Sequence, residues 1–197
     1  MRLFLLLLAL VLAASPSSAQ EYSTRGFSLG VGLQYAGVSI DEDLPFDADD
    51  SGGGLGLLAE YGFNEMISLF LNLDGSGIAE NTALGHFDLG ARFHFQAQPQ
   101  LKPFLQAALT GVAVTNDEGD DATLSGGAFT VGGGLRYFMS RKIALDFQGA
   151  YSLGEFNRLE VGKQSTDDLN IEMHTYRLRF GVLFNLREVR VYRRGGV

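Results

Sequence analysis

Three histidines and eight alternating charges are the residues of this 197-residue chain whose types and spacing could do chemistry. The histidines are His86, His94 and His174. A histidine held by a carboxylate and facing a hydroxyl is the apparatus of acyl-group hydrolysis. The residues two places on from each histidine are Asp88, Gln96 and Tyr176, none of them the serine that a paired strand motif would supply. A triad assembled across strands stays open as an arrangement, but no residue marks one, and the expectation is a non-catalytic protein. His94 shares its parity with Asp88 and Arg92, which points to a structural hydrogen bond.

The carboxylates offer a second chemistry. DEDLPFDADD at 41–50 and NDEGDD at 116–121 carry the hard oxygen ligands that calcium and magnesium prefer. Neither has the spacing of an EF-hand loop. The expectation is solvated, mutually repelling loops, with no metal and no cofactor. The eight alternating charges offer a third: Glu60, Asp74, Asp88 and Asp146 against Arg92, Arg136, Arg177 and Arg179. Four acids and four arginines can neutralise one another inside a protein, which buried charge requires.

Strands must position them. In TYRLRFGVLFNL, 175–186, Tyr176, Leu178, Phe180, Val182, Phe184 and Leu186 take every second place, and Arg177 and Arg179 point the other way. A side-chain period of two is a strand with unlike faces. Seven earlier segments alternate in the same manner: 26–40, 52–62, 66–77, 84–96, 102–115, 124–138 and 142–154. Segment 102–115 has the weakest contrast, because Phe104 and Val112 fall on its polar side. The connections after segments two, four and six are short, and those after one, three, five and seven are longer, at about ten, six, eight and eighteen residues. That rhythm, with an even strand count, is the pattern of an up-and-down outer-membrane barrel. The long connections collect acid, including Glu155, Glu160, Asp167, Asp168 and Glu172 in the last, whereas Lys102, Arg141 and Lys142 lie on the short-turn side. An acidic face argues against nucleic acid as a partner.

The chain's ends set the compartment. MRLFLLLLALVLAASPSSAQ has Arg2, an apolar run to Ala14 and small residues up to Ala19, so residues 1–19 are expected to be a secretory signal peptide. The barrel is then 20–186, and REVRVYRRGGV at 187–197 is a basic tail on the periplasmic side. There is no cysteine, so no disulfide staples the exported chain.

Composition decides which face meets lipid. With the apolar faces inward, the solvated wall would carry Gly30, Gly32, Gly54, Gly56, Gly90, Gly132, Gly134 and Gly181, and glycine weakens strands. With the apolar faces outward, those glycines make room in a narrow lumen for the charged side chains. Tyr35, Tyr61, Tyr137, Tyr151 and Tyr176 then suit the membrane interfaces.

On these grounds the chain resembles the eight-stranded outer-membrane β-barrel family of OmpA/OmpX type, in its barrel-only, porin-family-like form. The last strand resembles that family's assembly signal through Arg179, Gly181, Phe184 and Leu186, although the chain runs on for eleven residues past it. The resemblance implies an all-β, eight-stranded antiparallel transmembrane barrel with a side-chain-filled polar lumen. It also implies contact with outer-membrane lipid, lipopolysaccharide and the outer-membrane assembly machinery. The His-x-Ser pair of the barrel lipid A deacylases is missing. The expected role is an envelope structural or surface-interaction one, through acidic extracellular loops and a surface ligand the sequence does not name. A lipid-modifying barrel enzyme, a very narrow pore and a soluble lipocalin-like periplasmic binder are the alternatives.

Overall fold

The computed structural model describes residues 22–40, 50–79, 81–116, 122–162 and 164–186. The expected signal peptide, the basic tail and most of the two acidic clusters lie outside them. Alternation becomes eight strands: β1 (Gly26–Ile40), β2 (Asp50–Gly62), β3 (Ile67–Ala79), β4 (Thr82–His94), β5 (Leu101–Asn116), β6 (Ala122–Phe138), β7 (Ile143–Val161) and β8 (Gln164–Asn185). Each pairs antiparallel with the next, and β8 closes on β1 from Ser28↔Asn185 to Ile40↔Met173. Closure removes every edge that an open sheet would leave unpaired.

One end of the barrel, here the turn end, carries the connections β2–β3, β4–β5 and β6–β7 and the start of β1. The other, the loop end, differs from expectation. The β3–β4 connection is residues 80–81 only, β5–β6 is 117–121, and β7–β8 is 162–163. Most of the stretch read as a loop of about eighteen residues after segment seven is strand, β7 running on to Val161 and β8 beginning at Gln164. Glu155 pairs with Glu172, Arg158 with Asp167 and Val161 with Gln164. Gly162, at φ 57°, supplies the left-handed residue that a two-residue hairpin turn needs. Glu155, Glu160, Asp167 and Glu172 therefore stand on a hairpin, not on a loose connection, and His174 lies within β8 rather than before it.

Through most of the wall the apolar faces point out. Leu33, Leu55 and Leu109 are 65, 63 and 70% exposed, while Glu60, Arg92 and Arg136 are about 1% exposed. A soluble binder with an apolar cavity needs the opposite arrangement, so that alternative is set aside. Toward the loop end the pattern reverses. Val38, Ile78, Leu84, Val112, Val114, Leu124, Phe156, Ile171 and Met173 point inward and form one buried apolar cluster.

Candidate functional site

The charged side chains meet because strand register, not sequence proximity, brings them to common heights. Nearer the turn end, Glu60 on β2 is the hub. It accepts hydrogen bonds from Arg92 Nη1 (2.9 Å) and from Arg136 Nη1 and Nη2 (both 2.8 Å). Arg136 also donates to Asp146 through Nε (3.0 Å) and Nη2 (2.8 Å). The remaining Arg92 donors go to Gln106 Oε1 (2.9 Å) and to Gln148. The Arg92 guanidinium lies between the rings of Phe70 and Phe104, at 4.7 and 4.6 Å. His94 Nε2 stands 3.1 Å from Ser68 Oγ and 3.4 Å from Glu60. Two arginines and two acids thus neutralise one another out of water, with the leftover donors satisfied by amides.

The second group lies nearer the barrel's middle. Arg177 grips Asp88 through both terminal nitrogens, at 2.7 and 3.0 Å, and reaches Asp74 at 3.2 Å. Arg179 bonds Asn72 and the Gly56 carbonyl (3.3 Å), and its distance to Asp74 is 4.0 Å. Gly56 is needed here, since a Cβ on it would fall within the Asp74 carboxylate. Gln34 donates to Asp74 (3.1 Å) and accepts from Ser76 Oγ (2.8 Å). Thr110 donates to Asp88 (2.7 Å) and begins a hydroxyl chain to Thr130 and Ser152. Above it, His86 Nε2 is 3.2 Å from Thr175 Oγ1.

All eight charges read at polar parity are therefore buried in the lumen, in two groups of two acids and two arginines. The assembly-signal residues divide. Arg179 and Gly181 face inward, and Phe184 and Leu186 lie on the outer wall, 46 and 56% exposed. Among the described residues no three His, Asp or Glu converge to hold a metal.

Sequence reasoning missed a lock at the turn end. Tyr22 tucks against Phe138, with ring centroids 5.8 Å apart, and accepts from Gln100. Thr24 donates to the Glu65 carbonyl (3.0 Å), and Ser23 donates to the Glu65 carboxylate. Lys102, expected as a rim charge, is buried and donates to Glu65 Oε2 at 2.7 Å. Partial burial pushes the Glu65 carboxyl up, but the bonds from Lys102 and Ser23 outweigh it and hold the group below the ordinary glutamate value. No periodicity marks Glu65, because it sits in a turn.

The outer wall carries two aromatic levels. At the turn end Tyr61 and Phe63, and Phe93 and Phe95, meet edge to face at 5.2 and 5.1 Å. Toward the loop end Tyr35 and Tyr176 lie 6.5 Å apart, with Tyr151 stacked on His174. From Phe27 to Tyr35 the strand climbs eight residues, roughly 20 Å of height at the usual rise and tilt, close to a bilayer's apolar band.

Residues 4–184 match the family described as outer membrane protein beta-barrel domain, and the chain belongs to that family. No curated protein matches it by sequence. Among solved structures it is similar to Neisserial surface protein A (TM-score 0.65, 18% identity, covering 82% of this chain and 97% of that one). It is similar also to Ail, the attachment invasion locus protein of Yersinia pestis, in complex with the heparin analogue sucrose octasulfate (TM-score 0.52, 15% identity, 82% and 100% covered). The outer membrane protein AlkL in lipid bilayers gives a TM-score of 0.50 at 15% identity, with 89% and 96% covered. At these identities the likeness is one of fold. This is an outer-membrane β-barrel.

Proposed function

We propose that this outer-membrane barrel is non-catalytic and closed, and that it acts through the acidic β7–β8 hairpin it presents outside the membrane. The observation that carries the reading is the lumen, where all four arginines and all four acids hold one another. Charges so engaged neither line a water path nor stand ready for substrate. The histidine–hydroxyl pair His86–Thr175 lies beneath the apolar loop-end cluster, away from any reactant.

In this reading the loop end is extracellular and both termini are periplasmic. Outer-membrane lipid and lipopolysaccharide surround the wall, and β8, through Arg179, Gly181, Phe184 and Leu186, is what the assembly machinery engages. The hairpin 155–172 carries five acids against Arg158 and Lys163, so its surface partner is cationic. Ail's structure holds a polyanion, and an acidic hairpin repels one, so that ligand does not carry over.

Three measurements test the proposal. The purified barrel in planar bilayers is expected to pass no steady ion current, and a stable conductance would overturn closure. Because the chain has no cysteine, Val161→Cys should react with a membrane-impermeant maleimide on intact cells, and Arg141→Cys only after the outer membrane is permeabilised. Reversed labelling would overturn the orientation. Cells lacking the protein should regain envelope integrity or surface attachment with the wild-type gene and not with a hairpin carrying Glu160→Gln and Asp167→Asn. Full rescue by that variant would remove the hairpin from the function.

A further inference from the structure

The outer wall is not uniformly covered. One row of cross-strand neighbours runs Phe87, Gly111, Gly127, Glu155, Glu172 across β4 to β8. The row beneath it contains Leu109, Phe129 and Leu153. Between these walls lies an outward-opening apolar groove of about 870 Å³. Its floor is bare backbone, since a Cβ at Gly111 or Gly127 would meet nothing within 4 Å.

The groove ends on charge. Glu155 and Glu172 are direct partners across β7 and β8, both exposed. Like charges directly opposite on a sheet are destabilising. Neither glutamate enters an ion pair among the described residues. The hairpin's Arg158 is engaged by Asp167 at 2.6 Å and Glu160 at 3.7 Å. An apolar groove that ends on two unneutralised carboxylates is complementary to an amphiphile with a hydrocarbon chain and a cationic head. Because no three His, Asp or Glu converge here, an ammonium group fits the pair better than a coordinated metal.

We propose that this groove is a lipid site selective for an amine-headed lipid, its acyl chain over Gly111 and Gly127 between Leu109 and Phe129, its ammonium between Glu155 and Glu172. The inference rests on the outer wall facing lipid, and goes beyond the hairpin's surface role by assigning a ligand class to the wall itself. Such a lipid relieves the repulsion across β7 and β8 and fills a stretch of this wall where Gly111 and Gly127 leave the surface short of their neighbours' height.

The test reconstitutes the full chain in vesicles of equal parts phosphatidylethanolamine and phosphatidylglycerol with the same acyl chains. The protein is extracted in mild detergent, and the retained lipid is quantified by mass spectrometry. Phosphatidylethanolamine is expected to be enriched roughly 2- to 5-fold over the bulk, the size an exposed ion pair gives. E155Q together with E172Q should abolish the enrichment while lipid is still retained, and Gly127→Leu should reduce retention of both lipids. A bulk ratio in the wild type, or enrichment that survives the double substitution, overturns the proposal. So does phosphatidylglycerol enrichment that requires added magnesium, which would mean a metal-bridged anionic lipid. Cross-linked pairs joined through the groove would mean that a second copy of the chain covers it. Each sample is run unboiled and boiled in SDS. A protein that shows no heat-dependent shift and leaves the vesicles without detergent refutes the membrane placement itself, an outcome distinct from failed lipid selection.

Discussion

Two levels of one wall obey opposite rules. On β5, Gln106 and Thr110 face the lumen while Leu105 and Leu109 face out, 58 and 70% exposed. A few residues further along the same strand, Val112 and Val114 face in, and Thr115 faces out to meet Thr123. β7 does the same, with Asp146 and Gln148 inward near one end and Phe156 inward near the other, where Glu155 and Glu160 point out. On β5 the register is unbroken across the change, so the cause lies outside the wall, and the bulge on β7 between Phe156 and Arg158 comes only above it. Against lipid, apolar residues belong outside and the polar ones must find partners within. Once the strands rise into water, the interior becomes an ordinary hydrophobic core. The row through Phe87, Gly111, Gly127 and Glu155 is therefore where the barrel leaves the membrane.

The contrast breaks most sharply if the charged level loses its hub. Glu60→Ala leaves Arg92 and Arg136 with one acid, Asp146, between them, and removal of one partner from a buried pair costs about 3–5 kcal/mol. Urea unfolding in vesicles, or the temperature of the SDS-gel shift, should record that loss. A loss below 1 kcal/mol would mean that water enters the lumen and solvates the orphaned guanidiniums.

The membrane boundary can be tested with one substitution at two heights on the same outer face. Leu105→Arg, on the same outward face of β5 and three outward rows below the inversion row, lies near the bilayer midplane and should cost about 2–4 kcal/mol. Ser125→Arg, outward on β6 above that row, should stay within about 0.5 kcal/mol, as surface changes do. Equal costs would erase the boundary, and a cost only at Ser125 would put lipid on the wrong side of it.

This inversion also explains what could and could not be read from the residues. The eight strands and the barrel were legible because period two holds through the lipid-facing length of each strand, and the bounds 26–40 read for the first segment are those of β1. Apolar-out alternation, however, holds only against lipid. Where the faces exchange chemistry its sign flips, and on β7 a bulge between Phe156 and Arg158 interrupts it, so the pattern ends segment seven at 154 and begins segment eight at 175. The intervening strand passed for an acidic loop. Val112 blurred segment five for the same reason. Which charges meet was not legible at all. Glu60 and Arg136 are 76 residues apart and touch only through the register of strands that do not neighbour each other. The lock of Glu65 with Lys102 left no trace, because one partner lies in a turn and the other at a strand's start.

Within the charged level, the two groups differ in how tightly they are bonded. Arg136 makes two bonds to Glu60 and two to Asp146, all at 3.0 Å or less. Arg179 leans on an amide and a backbone carbonyl, with its carboxylate at 4.0 Å. Arg179→Met keeps the side chain's length and leaves Asp74 with Arg177, so the expected loss is about 1–2 kcal/mol, near the value of hydrogen bonds made by a charged group. If Arg179→Met proved as costly as Glu60→Ala, the lumen would act as a single network instead of two.

The smallest effect belongs at the turn end, outside the membrane, where Glu65 fastens the segment before β1 to the start of β5. Its carboxyl is held below the ordinary glutamate range, so the folded state favours the ionised form more than the unfolded chain does. Stability from this group is therefore fully present above the unfolded value, about 4.3, and is lost as pH falls through the lower folded value. Glu65 keeps about a third of its side-chain exposure, and solvent screening holds the contribution to roughly 0.5–1 kcal/mol. Glu65→Gln should lower stability by that amount at pH 7 and by progressively less below pH 4, so the two unfolding curves converge in acid. Because the lock sits at the opposite end from the inversion row, the substitution should leave lipid retention in the groove unchanged. A Glu65→Gln variant that lost lipid selectivity would show that the two ends of the barrel are mechanically coupled through the lumen, and the two-level description would have to give way to a single rigid stack.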